Sequence, residues 1–256
     1  MIIPRLYGRL GNQCFQIAAA VAHAKKMGTN WGAPHKTLDP RLWPMYFRNL
    51  PFTKHVTIAH YKEPRHCYDP LPLQKDMTID GYFQSEKYFA DAKKDVASAL
   101  GFKMGIKRIS CAIHIRRGDY LQYQDQFPTL PIDYYRFAME LMGGITDSGY
   151  HKFRIYSDDI EWCKQAFHPD KKLFNLMAFN APLDIEFSLL REPLTAMRDM
   201  YNADAFIIAN STFSLFPALL RTDNPLVIAP AEHRWYGPKN AYLETKDLMP
   251  ERFIKI

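Results

Sequence analysis

Apolar residues in this chain fall into short unbroken runs that alternate with segments of helical period, most regularly in the second half. From there the expected order is strand Ile109 to Ile115, helix Ile132 to Met142, strand Phe153 to Ser157 and helix Ile160 to Phe167. It continues as strand Leu173 to Met177, helix Leu194 to Asn202, strand Ala205 to Ala209, helix Thr212 to Leu220 and a final strand Leu226 to Ala229. Such alternation implies right-handed crossovers and a parallel sheet. The first half is less regular. A strand at Ile2 to Tyr7 leads through Gly8-Arg9-Leu10-Gly11-Asn12-Gln13 into a helix that reaches Met27 and ends at Gly28. Ser85 is placed to cap a helix from Glu86 to Leu100, closed by Gly101. Between Ala33 and Asp76 no period assigns an element. The expectation is an α/β chain of two lobes, residues 1–105 and 106–256, without internal repeats.

With 47% hydrophobic and 23% charged residues among 256, the chain has the make-up of an ordinary globular protein. The opening Met1-Ile2-Ile3-Pro4-Arg5 is too short for a signal peptide, and no apolar run is long enough to span a bilayer. A cytoplasmic location is therefore expected, with only peripheral membrane contact left open. Cys14, Cys67, Cys111 and Cys163 lack paired spacing and read as reduced. No metal-ligand spacing is visible, so no metal site is expected. A net charge of +6 favours phosphorylated partners. Nucleic acid is not expected, because the basic residues gather into no run interleaved with aromatics.

Chemistry concentrates where apolar strands end. The run to Ile115 stops in His114, Arg116, Arg117, Gly118 and Asp119, and two forked guanidiniums suit a diphosphate better than lysines would. The plain alternative is a charged strand end balanced by Asp119. After the next strand, Ser157, Asp158 and Asp159 open a helix. One carboxylate can cap it while the other accepts hydrogen bonds from a purine or a ribose; capping by both is the alternative. Asn210, Ser211 and Thr212 offer an amide, two hydroxyls and free helix amides as a phosphate seat, or simply a cap. The turn containing Gly11 and Asn12 allows close backbone approach, although it lacks the third glycine of a dinucleotide fingerprint. Three polar ends on one parallel sheet should converge on one crevice, which points to a nucleotide or nucleotide sugar.

These segments, taken in order, resemble glycosyltransferase family 11, which contains the α-1,2-fucosyltransferases. The resemblance rests on Gly8 to Gln16, Gly81-Tyr82-Phe83-Gln84-Ser85 through Phe89, His114 to Tyr120, Tyr156 to Trp162, Ile207 to Ser214 and Asp247 to Lys255. It covers essentially the whole chain. It implies a two-lobed GT-B architecture with a Rossmann-like C-terminal donor lobe and an N-terminal acceptor lobe. It also implies GDP-β-L-fucose as donor, no cofactor or metal, and inverting transfer to the 2-hydroxyl of a terminal galactose in a glycan.

On the same resemblance Arg116 binds the β-phosphate, His114 and Arg117 contact or frame the nucleotide, and Asp158 with Asp159 faces guanine or ribose. The resemblance also sets Ser211 and Thr212 on the pyrophosphate and Asn12 at the reacting centre, while Ser157, Asn210 and Gly11 join the donor side from the reading of the strand ends and the turn. Asp119 is placed with the catalytic group as the carboxylate that holds an arginine or orients the acceptor. The general base stays open, with Glu86 as an outsider. Trp31, Trp43, Tyr82 and Phe83 are candidates for stacking on sugar faces or for plain packing. The chain departs from the family where Leu215 to Leu219 replaces a tryptophan-rich run. Another linkage or acceptor, such as a protein or a lipo-oligosaccharide, and a silent GDP-sugar or glycan-binding module are the alternative readings.

Overall fold

The structure, a computed structural model, describes residues 1–34, 47, 50–105, 111–145, 152–168 and 183–256. It divides into two compact units. The first comprises Met1–Lys103, Leu219–Asp223 and Leu243–Pro250; the second comprises Met104–Ala218, Asn224–Tyr242 and Glu251–Ile256. A lobe running unbroken from 106 to 256 was expected. Instead 219–223 and 243–250 group with the first unit, because their contacts lie there. Lys93 Nζ donates to the Arg221 carbonyl at 2.8 Å, and Lys87 Nζ donates to Asp247 at 2.6 Å. Leu248 and Met249 are buried.

In the first unit the described strands are β1 (Ile2–Pro4), β2 (Ala33–Pro34), β3 (Phe52–Thr53), β4 (Ala59–Lys62) and β5 (Met77–Asp80), with helices α1 (Leu10–Met27) and α2 (Lys93–Leu100). β1, β5 and β4 form a parallel sheet in that order. α1 is built from small and apolar residues and buries most of its length, including Phe15, Ile17 and Ala18 to Ala20. It ends as expected at Gly28, whose φ of 60° a residue with a Cβ rarely adopts. The helix expected over Glu86 to Leu100 is broken. Glu86–Tyr88 and Ala90–Ala92 are separate 3-10 turns, and the α-helix starts only at Lys93. Tyr88 and Phe89 are both buried, Phe89 edge-on to Phe15 at 6.0 Å. Ser85 does cap, its Oγ accepting the Lys87 N–H at 3.3 Å, but what it caps is the first 3-10 turn and not the α-helix.

The second unit follows the expected alternation: β6 (Cys111–Ile115), α3 (Ile132–Ile145), β7 (Lys152–Ser157), α4 (Ile160–Ala166), β8 (Asp184–Phe187), α5 (Pro193–Met200), β9 (Ala205–Ile207), α6 (Thr212–Leu220), β10 (Leu226–Ala229) and β11 (Ile254–Lys255). Its six described strands are all parallel in the order β11-β10-β9-β6-β7-β8. β6 is buried on both faces. Cys111, Ile113 and Ile115 pack into a core with Tyr135, Ala138, Met139 and Met142 of α3, whereas His114 points to the other face and meets Phe213 and Ser214 of α6. Two strands were not expected. β8 carries Asp184 and Glu186, which pair with Lys152 and Arg154 of β7 across the ladder, and β11 has two residues, so Leu226 to Ala229 is not the last strand. The strand expected at Leu173 to Met177 lies outside the described residues.

Candidate functional site

The chain winds outward from β6 through β7 to β8, then returns to lay β9 against the other side of β6 and continues outward to β10. The winding direction therefore reverses between β6 and β9. In open α/β sheets such a reversal leaves a crevice at the carboxyl ends of the strands, where ligands bind. The residues that follow β6, β7 and β9 are Arg116-Arg117, Asp158-Asp159 and Asn210-Ser211, so the three polar ends do meet at one edge of one sheet.

The two arginines hold that edge together. Arg116 Nη1 pairs with Asp158 Oδ2 at 2.7 Å and Nη2 pairs with Asp119 Oδ1, while its guanidinium lies 5.1 Å from the centre of the Tyr120 ring. Arg117 donates its backbone N–H to Asp158 Oδ1 at 2.9 Å and its Nε to Asp159 Oδ2 at 3.1 Å, and stacks 3.8 Å over Trp162. Gly118 is required here, since a Cβ at that position would collide with the Asp158 carboxylate. Asp159 also accepts the Trp162 N–H at 3.3 Å and so caps α4, and Ser157 Oγ accepts the Asp159 N–H at 3.0 Å. Asp159 is thus the cap, and the second carboxylate, Asp158, is not left free as one of the pair was expected to be but is engaged by both arginines. Two guanidiniums face three carboxylates. What this cluster offers a phosphate is a set of rigidly aimed N–H donors, because its positive charge is already matched.

His114 is 3% exposed, and burial together with the Arg116 charge holds its pKa down at about 3, so the ring is neutral at ordinary pH. Its Nδ1 lies 2.9 Å from Ser214 Oγ, whose single proton goes to the Ser211 carbonyl at 3.3 Å. That assignment makes Nδ1 the donor and leaves Nε2 with the lone pair. Asn210 turns inward. Its Nδ2 donates to the carbonyls of Pro128, Trp235 and Arg234 at 2.8, 3.2 and 3.3 Å, and its own carbonyl accepts from Tyr120 at 3.1 Å. It ties together the segments around the strand ends. Ser211 Oγ accepts the Phe213 N–H at 3.3 Å, and Thr212 is the first residue of α6.

Gly11 and Asn12 belong to the other unit. α1 already begins at Leu10, so Gly11 is buried inside the helix, and the glycine that the turn needs is Gly8, at φ 73° with Asn12 packed where a Cβ would stand. Asn12 Oδ1 accepts from Gln84 Nε2 at 3.0 Å. Phe83 is fully buried and cannot stack on a sugar, whereas Tyr82 is exposed. Glu86 pairs with Lys93. Trp43 lies outside the described residues. Sequence reasoning missed Tyr120, Trp162 and Ser214, which brace Arg116, Arg117 and His114. Their signal was adjacency: Tyr120 follows Asp119 directly, and Trp162 and Ser214 stand three residues after Asp159 and Ser211.

A model of glycosyl transferase family 11 matches residues 59–239. An alpha-1,2-colitosyltransferase of Escherichia coli is 28% identical over an alignment 195 residues long that covers 69% of this chain and 61% of that protein. The O-antigen biosynthesis glycosyltransferase WbnK of Escherichia coli is 30% identical over 142 residues, 53% of this chain and 42% of that protein. The chain therefore spans between 42% and 61% of the length of these curated relatives. Among solved structures, the NodZ alpha-1,6-fucosyltransferase soaked with GDP-fucose aligns over 88% of this chain and 96% of that one, at 13% identity and a TM-score of 0.47. So loose a likeness decides neither ligand nor reaction.

Proposed function

The chain belongs to glycosyltransferase family 11, and from that membership we propose that it transfers L-fucose from GDP-β-L-fucose to the 2-hydroxyl of a terminal galactose in a glycan, with inversion and without a metal. The observation that carries the donor side is the braced Arg116 at the reversal point of the sheet. The two carboxylates use one N–H from each terminal nitrogen, and a guanidinium has five donors. The remainder suit the β-phosphate of a departing nucleoside diphosphate. Donors fixed before the reaction stabilise developing charge without reorganising, which is the largest single contribution in many enzymes. The hydroxyls of Ser211 and Thr212, at the start of α6, are the further groups that this reading gives to the diphosphate. Asp119 serves in this reading as the brace of Arg116, so the base that takes the acceptor proton is a different group.

The alpha-1,2 linkage in the name of one relative favours the 2-hydroxyl, and the sugar in that name favours a second reading in which the donor carries a sugar other than fucose. One experiment addresses both. The protein is incubated with a panel of GDP- and UDP-sugars and galactoside acceptors, released nucleotide and product mass are read, and the linkage is solved by NMR. Transfer from GDP-fucose to the 2-hydroxyl supports the proposal. Transfer to the 3- or 4-hydroxyl rejects the linkage. Donor binding without turnover identifies a silent binding module.

A further inference from the structure

The first unit holds a second organised cluster, at the carboxyl ends of its own parallel strands, in which a buried carboxylate grips a turn. Glu63 directly follows β4, and its N–H extends the ladder to the Asp80 carbonyl at 2.7 Å. Its side chain reaches over the turn that leaves β5. Oε2 accepts the Tyr82 N–H at 2.7 Å and the Phe83 N–H at 3.2 Å, and Oε1 accepts the Phe83 N–H at 3.1 Å and the Tyr88 hydroxyl at 3.4 Å. Only glycine fits at Gly81, where a Cβ would run into Glu63. Phe83 has φ 50°, in the left-handed region that a bulky side chain avoids. Such a conformation persists only where its surroundings over-determine it. Here the two amides on Glu63 do so, together with the buried Phe83 ring set edge-on to Tyr88 at 5.2 Å and the Ser85 N–H on the Phe83 carbonyl at 2.8 Å.

The strained turn has a consequence for its neighbours. With Phe83 turned into the core, Tyr82 is set outward, 37% exposed, its ring nearly perpendicular to Tyr7 at 5.1 Å and to His66 at 5.8 Å. Gln84, two residues after Tyr82, donates to Asn12. An exposed ring fixed between two others, beside a pair of side-chain amides, matches the chemistry of a hexopyranoside, which has one face of C–H groups and a rim of hydroxyls. We propose that Glu63 is a positioning residue for the acceptor sugar, acting by holding the Gly81 to Gln84 turn so that Tyr82 forms a stacking platform for a terminal galactoside. The inference rests on the glycosyltransferase reading. Burial outweighs the three hydrogen bonds and raises the Glu63 pKa to about 7, with Asp80 adding to the shift. Tyr7 and Tyr61 also feel this charge.

The test compares Tyr82→Ala, Glu63→Gln and Glu63→Ala with the wild type in steady-state transfer, varying donor and acceptor separately, with thermal melting of each. Tyr82→Ala alters an exposed side chain and should fold. It should raise the acceptor KM about tenfold while kcat falls by no more than about threefold. Glu63→Ala should reproduce that split, and Glu63→Gln, which keeps one acceptor oxygen, should recover part of it. Saturation-transfer NMR with a free galactoside should show contacts in the wild type that weaken in Tyr82→Ala, whether or not any donor is turned over. An unchanged acceptor KM and unchanged galactoside contacts in Tyr82→Ala would overturn the proposal. So would Glu63 variants that damage donor and acceptor kinetics equally. A wild type that turns over no nucleotide sugar would instead overturn the function from which the inference starts.

Discussion

Arg116→Lys separates the work of a fork from the work of a charge. In the wild type one guanidinium reaches two carboxylates on different segments, Asp119 and Asp158, both with side chains 27% exposed. A lysine has one nitrogen and can serve one of them. Leaving the other without its partner costs about 1–3 kcal/mol in a dry setting, and solvent at this exposure should reduce that to about 1 kcal/mol. For a chain of this size the melting temperature should then fall by roughly 2–4 °C. Turnover should suffer far more. Loss of one preorganised donor at a developing charge typically costs a factor of about 10² to 10³, so kcat should drop at least about a hundredfold, about 2.7 kcal/mol of barrier. The assay is kcat from released GDP, beside a melting curve on the same preparation. Arg117→Lys should hurt less, since Arg117 is spent on Asp159 and on the face of Trp162. Near-wild-type turnover in Arg116→Lys, or a loss no larger than that in Arg117→Lys, would refute the reasoning.

His114 supplies a test of pH. Its folded pKa of about 3 lies below the unfolded value of 6.5, so the neutral ring contributes stability that is present above about pH 6.5 and is lost as pH falls towards 3. Between pH 6.5 and 4.5 the wild type should lose about 2–3 kcal/mol more than His114→Gln, read from denaturant unfolding at both pH values; equal losses would reject the buried neutral ring. GDP should raise the melting temperature while UDP does little, by about 2.7 kcal/mol of stabilisation at a hundredfold excess over Kd, and equal shifts would remove the guanine claim while sparing the phosphate site. Transfer should survive excess EDTA, and a loss restored by magnesium or manganese would mean that the leaving group is stabilised differently.

The second unit was legible because β6, β9 and β10 are apolar runs of strand length, β7 alternates Phe153 and Ile155 with Lys152 and Arg154, and helical segments lie between the strands. The strand ends were legible too, since Arg116, Asp158 and Ser211 interrupt those runs abruptly. What stayed hidden was pairing. β8 shows charged residues at alternate positions, and only the facing Lys152 and Arg154 make it a strand. The matching of two arginines by three carboxylates needs the approach of β6 to β7, 41 residues apart for the Arg117 to Asp158 contact. In the first unit, Glu86 to Ala92 has the composition of a helix, and that it forms two 3-10 turns instead was not legible in the spacing of its residues. Glu63 carried no signal at all, because its partners are two backbone amides and one tyrosine hydroxyl, 19 to 25 residues away.

That the first unit is assembled from three separated stretches of chain bears on how such proteins can be recombined. Breeding a new specificity by joining the front of one relative to the back of another assumes that each half carries its own core. A junction at residue 103 would separate Lys93 from the carbonyl of Arg221, and Tyr68 and Lys87 from the Asp247 carboxylate they share. It would also bring in a foreign Leu248 and Met249. A workable hybrid has to move 219–223 and 243–250 together with the front part. Inheritance of the two units is thus linked by folding itself, and substitutions in the short C-terminal insertions should track those of the N-terminal stretch across relatives.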